Sequence, residues 1–348
     1  MASSTARKDS EAAAAAPENG AMRSGPLPAS SDSATERHAR LVRLLRKGLQ
    51  RFVNDVARVL TSQDQKAIHD LRVWSRRLQQ VLVGLYGETP PRRARAMRRV
   101  LRRTRRAIGQ WRNYDVVIDA VERRIRRARN QERQRAWSIV LKSAVEARRR
   151  EIRGARKRLM KLDVFGLREA GEVVIEGGGP AHDTLDASFW AAVAQAYDRW
   201  RETYDNTVKS KQPQDIHAFR IRTKRLRYRI ELARELGIDG TKPLLDWFKK
   251  LQDGLGRWRD RAELGRVIAA SIADPEHLLK ESRASIMLLT ELEGLRRRAD
   301  RDVDELLDGI GRSAGLACCE QWVGTHARPA AESESTAASP PITPPIAQ

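Results

Sequence analysis

The sequence lacks the features that build a disulfide scaffold, a membrane protein or a metalloenzyme. Its two cysteines, Cys318 and Cys319, are adjacent and cannot staple distant segments, so a disulfide framework is excluded and a reducing compartment fits. No apolar run approaches the roughly 20 residues that span a bilayer. The alanine pentad Ala12 to Ala16 lacks the longer apolar core of a secretory signal. A soluble, cytoplasmic protein without membrane insertion is expected. No P-loop, no GxSxG and no His/Cys/carboxylate cluster with metal-ligand spacing occurs. The expectation is therefore a non-enzyme with no catalytic residues, no cofactor and no metal site. No stretch alternates convincingly as a strand, which points to an all-α chain.

Acidic residues are scarce in one half only. The 348 residues carry 67 Lys+Arg against 45 Asp+Glu, a formal net charge of +22. Residues 36–166 hold 37 of the cations and 12 carboxylates, whereas residues 186–328 hold 26 and 23. The second half interleaves both signs, as a solvated helical exterior does; the first does not. Its run Arg92 to Arg106 has nine arginines in fifteen residues, and like charges at helical spacing repel. Planar guanidinium forks match phosphate or carboxylate oxygens two at a time, so a polyanionic partner is indicated.

Residues 1–35, rich in Ala, Ser, Pro and Gly, and residues 327–348, ending in SPPITPPIAQ, lack the hydrophobic spacing that orders a chain and read as disordered tails. Gly177, Gly178, Gly179 and Pro180 interrupt regular structure within 167–187, which reads as a linker between units 36–166 and 188–326. In the first unit, one helix is expected over Thr35 to Leu60, with Leu45, Leu49, Phe52, Val56 and Leu60 on one stripe. A second is capped by Thr61 or Ser62 and ends at Tyr86 before Gly87. A third starts at Pro90 and Pro91 and fades near Gly109. A fourth, kinked or divided, covers Asp115 to Lys161. Short turns between them predict an antiparallel four-helix bundle.

Self-similarity constrains the reading further. IHDLRVWSRRL at 68–78 recurs as IHAFRIRTKRL at 216–226, and GQWRN at 109–113 as GRWRD at 256–260. His69 matches His217, Arg72 matches Arg220, Arg76 matches Lys224 and Arg77 matches Arg225. The core stripe of the first helix falls opposite Val193, Tyr197, Trp200, Tyr204 and Val208. Met97, Val100, Leu101, Thr104 and Ile108 fall opposite Leu244, Trp247, Phe248, Leu251 and Leu255. Four segments in register predict two pseudo-symmetric antiparallel four-helix bundles from an internal duplication.

With His69 at zero on a helical wheel, Arg72 lies at about 300°, Arg76 at about 340° and Arg77 at about 80°, while Leu71, Leu78, Leu82 and Leu85 gather at about 160–220°. The second copy repeats this with Phe219, Leu226 and Ile230 on the apolar side, and Arg227 extends its cationic stripe. A lone helical histidine is ordinarily structural or merely exposed; here it heads a cationic stripe twice. Arginines at these spacings are poor company for Zn²⁺ but suit a phosphate chain, to which a histidine adds a hydrogen bond. Arg102 and Arg103, matched by Lys249 and Lys250, offer a second duplicated basic wall. With two bundles side by side, these helices are expected to line one groove or pore.

These residues resemble the conserved histidine alpha-helical domain, or CHAD domain. The resemblance rests on the duplicated His-x-x-Arg-x-x-x-Arg/Lys-Arg-Leu pattern, each copy followed by Gly-x-Trp-Arg-Asn/Asp, and covers about Arg37 to Thr325. It implies inorganic polyphosphate as partner, two four-helix bundles around a basic channel, and residence on polyphosphate granules. Carried over by position, His69, Arg72, Arg76, Arg77, His217, Arg220, Lys224 and Arg225 form the anion-binding set. The second half is less basic than the first, and the Glu-x-Glu-x-Lys mark of a fused triphosphate-hydrolysing domain is absent, so a stand-alone binding module is expected.

The alternative is a nonspecific nucleic-acid-binding helical protein, since counterion release draws any basic bundle to a phosphate backbone. Against it, the basic helices lack interleaved aromatics for base stacking and show no helix-turn-helix signature. Asp115 and Asp119 share a helical face but are expected to pair with Arg112 or Arg123. Cys318 and Cys319 near His326 read as an incidental helix end.

Overall fold

The computed structural model describes residues 34–62, 64–176, 182–274 and 280–328, and every regular element among them is an α-helix. The expected tails at 1–35 and 327–348 lie outside these residues apart from their inner edges, as does the Gly177–Pro180 break.

The first unit comprises α1 (Ala34–Thr61), α2 (Gln65–Tyr86), α3 (Arg92–Ala107), α4 (Gly109–Arg127) and α5 (Gln131–Met160). Thr61 closes α1 by donating to Ala57 O at 3.0 Å, and Asp64 is the residue that caps α2, accepting from Lys66 N at 2.7 Å. A carboxylate at this position also suits the positive end of the helix dipole. Gly87 ends α2 at φ +59°, a conformation that favours glycine. The long fourth helix expected from the sequence is divided at Ala128–Asn130, where Asn130 caps α5 by accepting from Arg133 N at 2.8 Å. Its start moves back to Gly109, so the GQWRN element is helical. The stretch 167–187 contains α6 (Leu167–Glu176), whose Leu167, Gly171 and Val174 are buried, and the first residues of α7.

The second half of the chain runs through α7 (His182–Ser210), α8 (Pro213–Glu235), α9 (Thr241–Ile272), α10 (Ser282–Gly311) and α11 (Ala314–Ala327). Where the first copy breaks between α3 and α4 at Ile108, α9 continues without interruption.

Two hydrophobic cores form, and both draw on the two halves of the chain. The larger unites the stripes of α1 and α2 with those of α7, α8 and α9, around fully buried Phe52, Trp111, Trp200, Phe219 and Phe248. The smaller packs Val117, Trp137 and Val140 of α4 and α5 against Leu264, Ile268, Leu288 and Leu295 of α9 and α10. Helices α5, α9 and α10 are long enough, at about 45 Å, to reach from one core to the other. The expected stripes are buried, or half-buried at Leu60, Val100 and Trp247, except that Val208 is 42% exposed and the buried place beside it is taken by Thr207. Thr207 Oγ1 donates to Thr203 O at 2.6 Å, which lets a polar residue sit inside the last turns of α7.

Candidate anion-binding site

The apolar stripes of α2 and α8 enter the larger core, which leaves their cationic edges at the seam between the two helices. Arg76 of α2 reaches across: its Nη1 donates to the Tyr228 hydroxyl of α8 at 3.0 Å. Arg72 lies beside the break between α3 and α4, its Nη1 3.8 Å from where a side chain on Gly109 would begin.

The four cations at the centre are mutual electrostatic neighbours. Arg72 is pushed down to about 10, first by burial and then by Arg76, Arg112, Arg105 and Arg220. Lys224 is pushed down to about 6 by burial, then by Arg220, Arg76 and Arg72, with Asp260 opposing. Arg220 is lowered by burial and by Arg259 and Arg76, again against Asp260. Arg72, Arg76, Arg112, Arg220 and Lys224 form no ion pair within 4 Å among the described residues. Burial raises Asp260, and Arg220, Arg112, Arg259 and Lys224 pull it back, so one carboxylate faces cations from both copies.

Arg112 acts electrostatically on Arg72 as Arg259 does on Arg220. Trp111 and Trp258, buried in the Gly-x-Trp-Arg elements, anchor the backbone from which these two arginines extend. Arg105 Nη1 donates to Gln79 Oε1 at 2.6 Å, and Arg227 Nη1 donates to Gln252 Oε1 at 2.6 Å; the arginine and glutamine have exchanged places between copies.

The expected site residues fall into three groups. Arg72, Arg76, Arg220 and Lys224 converge. His69 and His217 are both exposed on the first turns of their helices; His217 sits at the edge of the group, its pKa lowered by partial burial and by Arg259, Arg220 and Lys224.

Arg77 and Arg225 turn away. Arg77 lies 5.4 Å from the Trp74 ring, which Arg51 also approaches at 5.1 Å. Arg225 belongs to a separate network with Glu88, Arg98 and Arg199. In that network the buried Arg229 pairs with Glu88.

Arg227 is neutralised by Glu231 at 2.9 Å. Arg102, Arg103, Lys249 and Lys250 are exposed. Arg103 shares a shallow depression with Arg106, Arg158 and Lys161. Sequence reasoning missed Arg105, Arg112, Arg259, Asp260 and Tyr228. The signal for Arg112 and Arg259 was present, since both belong to the repeated Gly-x-Trp-Arg element.

Two other expectations meet the structure here. Asp115 is bound by Arg148 of α5, whose Nε donates to its Oδ1 at 2.6 Å, rather than by Arg112 or Arg123. Cys319 is buried and its thiol is pushed up to about 12 by that burial, while His326 packs against Trp190 and Trp322. Among the described residues, no group of three or more His, Cys, Asp or Glu side chains is placed to hold a metal ion, and no helix is long and apolar enough to cross a membrane.

Comparison with known proteins places the chain in a family. The CHAD domain family model matches residues 43–269, which include both cationic stripes and both Gly-x-Trp-Arg elements. The chain belongs to the CHAD domain family. Its fold is similar to the crystal structure of the CHAD domain from the plant Ricinus communis, with a TM-score of 0.59, 17% identity, and coverage of 84% of this chain and 97% of that one. It is also similar to PptA from Streptomyces chartreusis, with a TM-score of 0.58, 17% identity, and coverage of 82% and 98% respectively. No curated protein matches the chain.

Proposed function

We propose that this chain binds inorganic polyphosphate at the α2–α8 seam without hydrolysing it, and that this binding holds it at polyphosphate granules in the cytoplasm. One observation carries the reading. Arg72, Arg76 and Arg112 from one copy meet Arg220 and Lys224 from the other, half-buried, with Asp260 as the carboxylate among them. Cations held together in this way repel one another and lose hydration, a destabilising arrangement that a bound anion reverses. Guanidinium groups supplied by different helices suit a chain of phosphates, each of which offers oxygens for bidentate contact. The membership of the CHAD family and the duplicated motif agree with this ligand.

Nucleic acid is the competing polyanion. Of the rings near the seam, Trp111 and Trp258 are buried, Tyr228 is held by Arg76, and the half-buried Trp74 has Arg51 and Arg77 over its ring. The test is binding to long-chain polyphosphate at about 150 mM salt, where nonspecific attraction is partly screened, with double-stranded DNA and heparin as competitors. Polyphosphate should be retained against DNA at equal phosphate concentration. Displacement by DNA would transfer the site to the nucleic-acid reading.

A further inference from the structure

A second cationic cavity, of about 320 Å³, lies between α4, α5 and α10. Arg123, Arg124 and Arg127 of α4, Arg133 of α5 and Arg298 of α10 open onto it above the buried Trp137. The carboxylate on its wall, Glu291, is paired with Arg133. Four guanidinium groups therefore face the cavity without a carboxylate of their own on its wall.

Arg124 is fixed at the floor. Its guanidinium carbon lies 5.2 Å from the centre of the Trp137 ring, and its Nη1 donates to Ala120 O at 3.0 Å. Burial lowers its pKa; Glu291 opposes this, while Arg298, Arg123 and Arg261 push it further down. Arg123 and Arg127 stand at i and i+4 on one helix, a like-charge spacing that destabilises. The cavity shares with the α2–α8 seam arginine forks crowded together from separate helices, with Arg124 partly buried and Arg123, Arg127, Arg133 and Arg298 exposed around the open volume.

The two places are separate. Arg112 at the seam and Arg127 at the cavity are about 22 Å apart along the axis of α4. Between them on α4 lie the half-buried Asp119 and the buried Asp115, which pairs with Arg148.

We infer that the α4–α5–α10 cavity is a second binding site for a phosphate-rich anion, which makes the protein bivalent. The identity of the natural anion as polyphosphate rests on the function proposed above; the existence of the second site does not. A long chain held at one site raises the effective phosphate concentration at the other, or joins two protein molecules.

The test is calorimetric titration of the full chain with inorganic tripolyphosphate, too short to span both sites. Two sites per protein are expected. Arg127→Gln/Arg298→Gln, which changes exposed side chains and keeps their approximate length, should remove one of them and weaken long-chain binding by at least about tenfold through lost avidity. Arg123→Gln/Arg127→Gln provides an independent removal confined to α4, and circular dichroism checks that each variant keeps its helices. Arg220→Ala/Lys224→Ala should remove the other site. One wild-type site that the cavity variants leave intact would overturn the second site and spare the seam. One site lost only in the cavity variants would support the cavity as an anion site but overturn both the bivalency and the proposed function. Absence of tripolyphosphate binding would overturn both.

Discussion

Binding of a polyanion at the α2–α8 seam should draw a proton onto Lys224. In the free protein this amine is pushed down to about 6, by burial first and then by Arg220, Arg76 and Arg72. At pH 7.5 a group with that pKa is only about 3% charged. Phosphate oxygens seated among the arginines cancel their repulsion, so the amine of the complex moves back toward its ordinary 10.5. The complex then binds more protons than the free protein between these two pKa values. Affinity must fall as pH rises through that interval, by up to about tenfold per unit from this one group. From pH 6.5 to 8.5 the total reaches at most about a hundredfold, and long chains keep the ligand's own charge nearly constant because their internal phosphates are already ionised. Calorimetry at pH 7.5 in buffers of different ionisation enthalpy should report uptake approaching one proton per site. Lys224→Arg, whose guanidinium stays charged over this range, should flatten the dependence to what His217 contributes. A binding enthalpy independent of buffer, or a wild-type slope retained in Lys224→Arg, would refute the reasoning.

The same depressed amine affects stability with a definite sign. Between pH 10.5 and about 6 the unfolded chain binds the proton that folded Lys224 resists, so stability falls as pH drops through this window; Lys224→Met should raise the melting temperature most near pH 6, and an unchanged melting profile would contradict this. Arg220→Ala/Lys224→Ala should weaken polyphosphate binding by at least about tenfold more than Arg149→Ala/Arg150→Ala, because a charge-assisted contact contributes about 1.5–3 kcal/mol whereas exposed arginines of α5 supply only screened attraction. Equal weakening in a filter-retention assay would show that the second stripe is not part of the site. Finally, purified protein should release no phosphate from polyphosphate or triphosphate with Mg²⁺ or Mn²⁺; release abolished by a point substitution in this chain would overturn the non-enzymatic reading.

Much of the site was legible because its parts are local. The period that buries Leu71, Leu78 and Leu82 leaves Arg72 and Arg76 on the other side of the same helix, and the duplicated motif carries the pattern to Arg220 and Lys224. Arg77 stood about 80° around the wheel from His69, and that offset was the better guide to its place. The motif grouped it with the others, but its guanidinium lies by Trp74. Asp64 was missed as a cap because Thr61 and Ser62 are equally good capping residues by type, and only the end of α1 decides which of the three is available.

By itself the sequence determined the helices, their apolar faces, the repeated motif and the concentration of charge in the first half, since each follows from the order and spacing of its residues. Tertiary structure decided which cations meet. Arg72 and Lys224 are 152 residues apart; their proximity depends on how α2 and α8 pack, and local periodicity carries no information about the distance between two helices. Burial was likewise a tertiary outcome. Lys224 and the exposed Lys249 are the same residue type on equally regular helices, but only Lys224 is surrounded by other cations and screened from water, and that environment moves its proton affinity into the range where a bound anion can change it.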